Sequence, residues 1–107
     1  MRILLDTCVP QRLRLSLPEH EVRSARYAGL DGLLDGQLLS AIEGNFDVLV
    51  TCDRSIPWQQ NMQGRKIAVV ILEAVSNRLP DLLPLLPLLR IALDNVKPGH
   101  VEVISLP

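Results

Sequence analysis

Short apolar runs recur along the chain and alternate with stretches of helical pattern. The runs at residues 1–5, 46–51 and 67–72 are nearly unbroken, which is typical of strands covered on both faces. A polar alternation at 20–25 predicts a short strand near a sheet edge, and a similar alternation at 101–104 predicts a last strand. The pattern therefore predicts five strands.

Two helices are predicted between the first three strands. The first begins at Pro10, where proline suits the first helical turn, and it stops before Pro18. The second begins with Asp35 as its N-cap and ends at Gly44, since glycine favours the end of a helix.

A third helix is predicted after the fourth strand, although its sequence contains three prolines. Proline is tolerated only in the first helical turn, where the backbone N–H groups have no partner. The regular part of this helix is therefore predicted to begin near Pro84, and it ends at Asn95.

The length and composition bound the architecture. A chain of 107 residues is long enough for one core and too short for two, so one domain spanning residues 1–107 is predicted. Apolar residues make up 48% of the chain and aromatics 3%, so aliphatic side chains must build the core. Strands alternating with helices predict an α/β fold with right-handed crossovers and a largely parallel sheet.

No segment is predicted to cross a membrane. The most leucine-rich stretch, Leu79–Leu93, is interrupted by an aspartate, three prolines and an arginine. The sequence enters its first strand without a charged and apolar leader, which predicts a cytoplasmic protein.

The two cysteines and the nearly balanced charge reduce the number of functions that the sequence can support. Cys8 and Cys52 form neither a CxxC motif nor a disulfide framework, so structural zinc is not expected and both are interpreted as packing residues. The net charge of −1 lacks the positive excess of proteins with a large nucleic-acid footprint, so any such contact must be local.

Two aspartates follow predicted strands that should be neighbours. Asp6 ends the first strand and Asp53 follows the third. Ligand sites of open parallel sheets gather beyond the carboxyl ends of the strands. Carboxylates that converge there repel one another unless a cation lies between them, and oxygen ligands select Mg²⁺ or Mn²⁺. Because such an ion can activate water at a phosphodiester, we take phosphodiester hydrolysis as a hypothesis.

Several short motifs resemble one family in their order and spacing. The chain is similar to the small PIN-like branch of the PIN-domain ribonucleases, and the similarity runs through nearly the whole sequence. The motifs are Leu4-Leu5-Asp6 with Pro10 shortly after, Asp35-Gly36-x-Leu38-Leu39, Val50-Thr51-x-Asp53, and the strand Ile67-Ala68-Val69-Val70 with Ser76-Asn77-Arg78.

The resemblance implies a three-layer α/β/α sandwich with about five strands and an acidic pocket that binds Mg²⁺ or Mn²⁺. It also implies RNA cleavage, often by a toxin encoded beside a small antitoxin protein. Asp6, Asp35 and Asp53 match the family's acidic positions and would be the metal ligands and catalytic residues. Relatives often carry glutamate after the first aspartate, whereas this chain has Thr7, which offers a hydroxyl without the negative charge.

Four further residues are candidates for binding the nucleic acid. Arg54 and Arg78 follow the carboxyl ends of strands and could hold phosphate, with Asn77 beside Arg78. Trp58 could stack on an unpaired base, although covering the core is the commoner task of a lone tryptophan. Solvated surface charge is the alternative interpretation of the arginines.

Two other functions stay open at this stage. A receiver-like phosphoacceptor also carries aspartates after its first and third strands, but Lys97 precedes the last strand and so falls at the opposite edge from Asp6 and Asp53. A PIN-like module that has lost catalysis and binds a small protein partner is the second alternative, and Thr7 favours it. A homodimer is compatible with each of these functions.

Overall fold

The computed structural model describes residues 1–33, 35–54 and 62–106, of which residues 35 and 36 are described by their backbone alone. The strands form one sheet in the order β2-β1-β3-β4-β5, and every neighbouring pair is parallel. The predicted five-stranded sheet is confirmed, with β2 at one edge and β5 at the other. The strands are β1 (Arg2–Leu5), β2 (Glu21–Ser24), β3 (Val48–Thr51), β4 (Ala68–Glu73) and β5 (Val101–Ser105).

The first predicted helix is a 3₁₀ helix, Gln11–Ser16, rather than an α-helix. Leu17 donates its N–H to Arg14 at 3.1 Å, which is the three-residue spacing of a 3₁₀ helix. Pro18 disfavours the α conformation in the residue before it, so the segment has no room for a longer helix. The second predicted helix is confirmed as α1 (Asp35–Ile42).

The third helical region consists of three consecutive segments. Helical geometry starts with α2 (Leu79–Leu82), continues through a 3₁₀ turn at Leu83–Leu85 and ends with α3 (Leu86–Asn95). The longest regular part, α3, begins two residues after Pro84, close to the predicted position, and short helical segments precede it. Each of the three segments has a proline in its first or second position, where a missing N–H costs no hydrogen bond. Within the described ranges, none of the helices combines the length and the apolar character that a membrane span requires.

Side chains along each strand alternate between two faces, and each face carries its own hydrophobic cluster. The first cluster joins Leu5 to Leu13 of the 3₁₀ helix and to Leu89 of α3. The second cluster joins Leu49 to Ile42 of α1 on the opposite face. The domain is therefore an α/β/α sandwich of three layers, in agreement with the predicted fold class.

The crossovers do not share one hand. The connection from β1 to β2 and the connection from β4 to β5 both lie on the face of the first cluster, yet they run in opposite directions along the sheet. Two parallel crossovers with that relationship must have opposite hands, so the expectation of uniformly right-handed crossovers is wrong. A non-helical segment, residues 74–78, separates β4 from α2, and Asn77 Nδ2 donates to the carbonyl oxygen of Cys8 at 3.0 Å. This contact anchors the segment above the first cluster before the helix starts.

Candidate functional site

The candidate site lies where β1 and β3 meet at the carboxyl-terminal edge of the sheet. The chain leaves β1 toward one side of the sheet and leaves β3 toward the other, which makes this a topological switch point. Asp6 directly follows β1, and its N–H donates to the carbonyl oxygen of Val50 in β3 at 2.9 Å. Asp53 comes two residues after β3. The structure thus brings both predicted aspartates to the same edge.

Thr51, the last residue of β3, links the two aspartates. Its side chain is fully buried, with 0% of the residue exposed. Its hydroxyl donates to Asp6 Oδ2 at 2.8 Å and accepts the Asp53 N–H at 3.0 Å. Thr51 was not predicted as a site residue, although its position two residues before Asp53 in the strand-end motif was the available signal.

Thr7 contributes through its backbone. Its N–H donates to Asp6 Oδ1 at 2.8 Å, while its side chain lies at an exposed position. Each oxygen of the Asp6 carboxylate therefore accepts one hydrogen bond from the protein and keeps a further lone pair for another ligand. The carboxylate is held in a defined orientation at the edge.

Both cysteines belong to the same network. Cys8 Sγ accepts the Cys52 N–H at 3.2 Å and lies 3.4 Å from Thr51 Oγ1. Hydrogen bonding from Cys52 lowers the pKa of Cys8 to about 6, against burial and the charge of Asp6, which act in the opposite direction. The pKa of Cys52 is raised because its thiol donates to Cys8 and is partly buried. Both side chains do pack against the first cluster, as predicted, but they also contact the site.

A shallow cavity of about 250 Å³ opens beside these residues. Asn77 and Arg54, two of the residues predicted to bind nucleic acid, lie in its wall, whereas Arg78 is exposed and outside it. Arg54 forms an ion pair with Glu73 at 3.7 Å, and both side chains are largely exposed. The cavity is lined by Cys8, Cys52, Asp53, Arg54, Leu72, Ala74, Val75, Ser76 and Asn77.

Two predicted site residues are not placed by the described structure. Trp58 lies outside the described residues, and for Asp35 only the backbone at the start of α1 is described. Among the side chains that are described, no three from His, Cys, Asp and Glu form a metal-binding group. Mg²⁺ often binds through one or two carboxylates together with water, so the oxygen donors of Asp6 and Asp53 suit Mg²⁺ or Mn²⁺ chemically.

The fold and the site together define an all-parallel α/β/α sandwich with acidic and thiol side chains at its switch point. No family model, curated protein or solved structure matches this chain.

Proposed function

We propose that the chain is a PIN-like, metal-dependent ribonuclease that hydrolyses RNA phosphodiester bonds in the cytoplasm. The observation that carries the proposal is that Asp6 and Asp53 follow neighbouring strands at the switch point, where the buried Thr51 hydroxyl donates to the Asp6 carboxylate and accepts the Asp53 backbone N–H. Open parallel sheets bind their ligands at such a point. A fixed carboxylate and a neighbouring one are a suitable start for a Mg²⁺ or Mn²⁺ site.

The proposed roles follow from these positions. Asp6 and Asp53 hold the ion, with Asp35 as the third acid carried over from the family resemblance. The bound ion supplies activation of the attacking water and neutralises charge on the phosphate. Thr51 fixes the Asp6 carboxylate through its hydrogen bond to Oδ2, and the remaining lone pairs of that carboxylate would be available to a metal ion.

The RNA backbone would lie along the cavity wall. Arg54 is suited to binding a phosphate. Its ion pair with Glu73 is exposed to solvent and therefore weak, so a phosphate can take the place of the Glu73 carboxylate. Asn77 and Arg78 follow β4 at the same edge and complete the proposed binding surface, together with Trp58 as a base-stacking residue. A small antitoxin protein that covers this edge is the proposed partner, and a homodimer is compatible with it.

A catalytically inactive PIN-like module that binds a small protein is the second candidate. Thr7 stands where relatives often carry a glutamate, and its exposed side chain adds no charge to the described part of the site. A receiver-like domain is a weaker candidate. Gly99 donates its N–H to Ile67 at the amino-terminal end of β4, so the neighbouring Lys97 lies at the opposite edge from Asp6.

The proposal is tested by thermal unfolding with Mn²⁺ added or chelated, followed by cleavage of a pooled RNA. At a Mn²⁺ concentration a hundred times its Kd, binding adds about 2.7 kcal/mol, which corresponds to a rise in Tm of roughly 10 °C for a domain of this size. We expect this rise, and Mn²⁺-dependent cleavage, in the wild type and in Asp94→Asn, whose exposed aspartate lies on α3. Both should be lost in Asp53→Asn.

The other outcomes separate the candidates. A wild-type protein without any response to Mn²⁺ and without cleavage would favour the binding module. A response that persists in Asp53→Asn would place the metal elsewhere and refute the proposed ligand set.

A further inference from the structure

We propose that Cys8 and Cys52 form a dithiol site that small-molecule disulfides oxidise reversibly to an intramolecular disulfide. The site joins the ends of β1 and β3, which are adjacent parallel strands. Cys8 lies three residues beyond β1, and Cys52 directly follows β3. The proposal does not depend on the proposed nuclease activity.

The Cys8 sulfur is already in contact with Cys52. Cys8 Sγ accepts the backbone N–H of Cys52 at 3.2 Å. The Cys52 backbone thus lies within hydrogen-bonding distance of the Cys8 sulfur, and rotation about the Cys52 Cα–Cβ bond is the movement that would carry its own sulfur toward the bonding distance of about 2.05 Å.

The position of Cys8 is fixed from two sides. Asn77 Nδ2 donates to the Cys8 carbonyl oxygen at 3.0 Å, and Thr51 Oγ1 lies 3.4 Å from Cys8 Sγ. These contacts hold the Cys8 sulfur beside Cys52 in the native state. Simple packing in the core would not require a backbone N–H to point at the sulfur.

A small reagent can reach both thiols. Cys8 and Cys52 are each partly exposed, and both line the open cavity of about 250 Å³. Val75, which is 93% exposed, also lines this cavity.

The reaction balances as two thiol–disulfide exchanges. The Cys8 thiol, after losing its proton, attacks a small-molecule disulfide, forms a mixed disulfide and releases one thiolate, which takes up that proton. The Cys52 thiol then attacks the Cys8 sulfur of the mixed disulfide and releases the second small thiol in the same way. Two protein thiols are oxidised to one disulfide, and the reagent is reduced to two thiols.

The disulfide would form next to the acidic edge. Cys8 Sγ lies 3.4 Å from Thr51 Oγ1. The same Thr51 hydroxyl donates to the Asp6 carboxylate and accepts the Asp53 N–H, so the dithiol site and the support of Asp6 share one residue.

The test treats the folded, reduced protein with oxidised glutathione and counts its free thiols by alkylation and intact-mass measurement. We expect two alkylated thiols before treatment and none afterwards, a monomer about 2 Da lighter, and full reversal by a reducing dithiol. Cys52→Ser should stop at a single glutathione adduct on Cys8, because no second thiol is present to complete the exchange.

A urea-unfolded sample is the control, because it contains the same two cysteines without their native contact. Native contact should raise the extent of Cys8–Cys52 disulfide at a given ratio of oxidised to reduced glutathione by at least about tenfold over the unfolded chain. Equal extents in the two samples would overturn the proposal. So would stable glutathione adducts on both cysteines of the folded wild type, disulfide-linked dimers, or no reaction of the folded protein.

Discussion

Replacing Thr51 by valine tests whether one buried hydroxyl supports the acidic edge. Valine has nearly the volume of threonine and suits a β-strand, so the substitution removes the hydroxyl without creating a cavity. It leaves Asp6 Oδ2 without its donor at 2.8 Å and the Asp53 N–H without its acceptor at 3.0 Å. The perturbation is therefore confined to the hydrogen bonds.

The expected cost follows from the kinds of bond that are lost. A hydrogen bond to a charged group contributes about 1.5–3 kcal/mol. The Asp53 N–H belongs to a half-buried residue, so water can replace much of its lost bond. We expect Thr51→Val to lower the free energy of unfolding by about 2–3 kcal/mol, a substantial part of the 5–15 kcal/mol typical of a domain.

Urea unfolding followed by far-UV circular dichroism measures this cost, with Thr51→Ser as the matched control. Serine keeps the hydroxyl and loses one buried methyl group, at about 1 kcal/mol. The hydrogen-bond argument therefore ranks serine above valine in stability, whereas an argument from apolar burial alone ranks valine above serine. In an Asp6→Ala background the cost of Thr51→Val should fall to about 1 kcal/mol, because its charged partner is gone. A valine variant as stable as the wild type, or an unchanged cost in that background, would refute the reasoning.

Two further predictions concern stability away from the site. Asp47 accepts the Arg2 backbone N–H at 2.7 Å, which, with the Arg2 side chain nearby, holds the pKa of its carboxyl below the usual value. The ionised Asp47 carboxylate therefore stabilises the fold fully above the unfolded-state pKa near 4, and this stabilisation is lost as the pH falls through the lower folded-state pKa. The urea midpoints of the wild type and Asp47→Asn should converge as the pH falls toward about 3. A difference between the two midpoints that does not change with pH would contradict this. Leu89→Ala should lower the free energy of unfolding by about 2–5 kcal/mol because Leu89 is buried in the first cluster. Ile91→Ala, on the exposed side of the same helix, should cost under about 1 kcal/mol, and equal losses would show that α3 does not bury the face described.

The sheet was predictable because its signal is local. Continuous apolar runs marked β3 and β4, and the polar alternation marked β2 as an edge strand. The region 79–95 was harder, because each proline lowers the helical expectation while three short helical segments accommodate all of them. The contact from Asn77 to Cys8, which fastens the segment before these helices to the end of β1, spans 69 residues and has no local signature.

The candidate site was predicted in part for the same reason. Asp6 and Asp53 were found because the ends of parallel strands share an edge. Thr51 was missed because threonine at the end of a buried strand is expected from β-propensity alone. The cysteines were interpreted as packing residues because their contact could not be read from either residue alone. Cys8 Sγ meets the N–H of Cys52, 44 positions further along the chain, only because β1 and β3 pair in one particular register.

Because the two crossovers of opposite hand lie on the same face of the sheet, residues of one crossover contact residues of the other. Arg90 Nε donates to Glu19 Oε1 at 3.1 Å, and its guanidinium donates to the Ser16 carbonyl oxygen at 2.6 Å, across 71 and 74 residues of sequence. Were the crossovers of one hand, the sheet would stand between these partners. In the variant Arg90→Lys, a zero-length carbodiimide cross-link between Glu19 and position 90 would therefore show in solution that the last crossover lies on the same face of the sheet as the first, and so has the opposite hand.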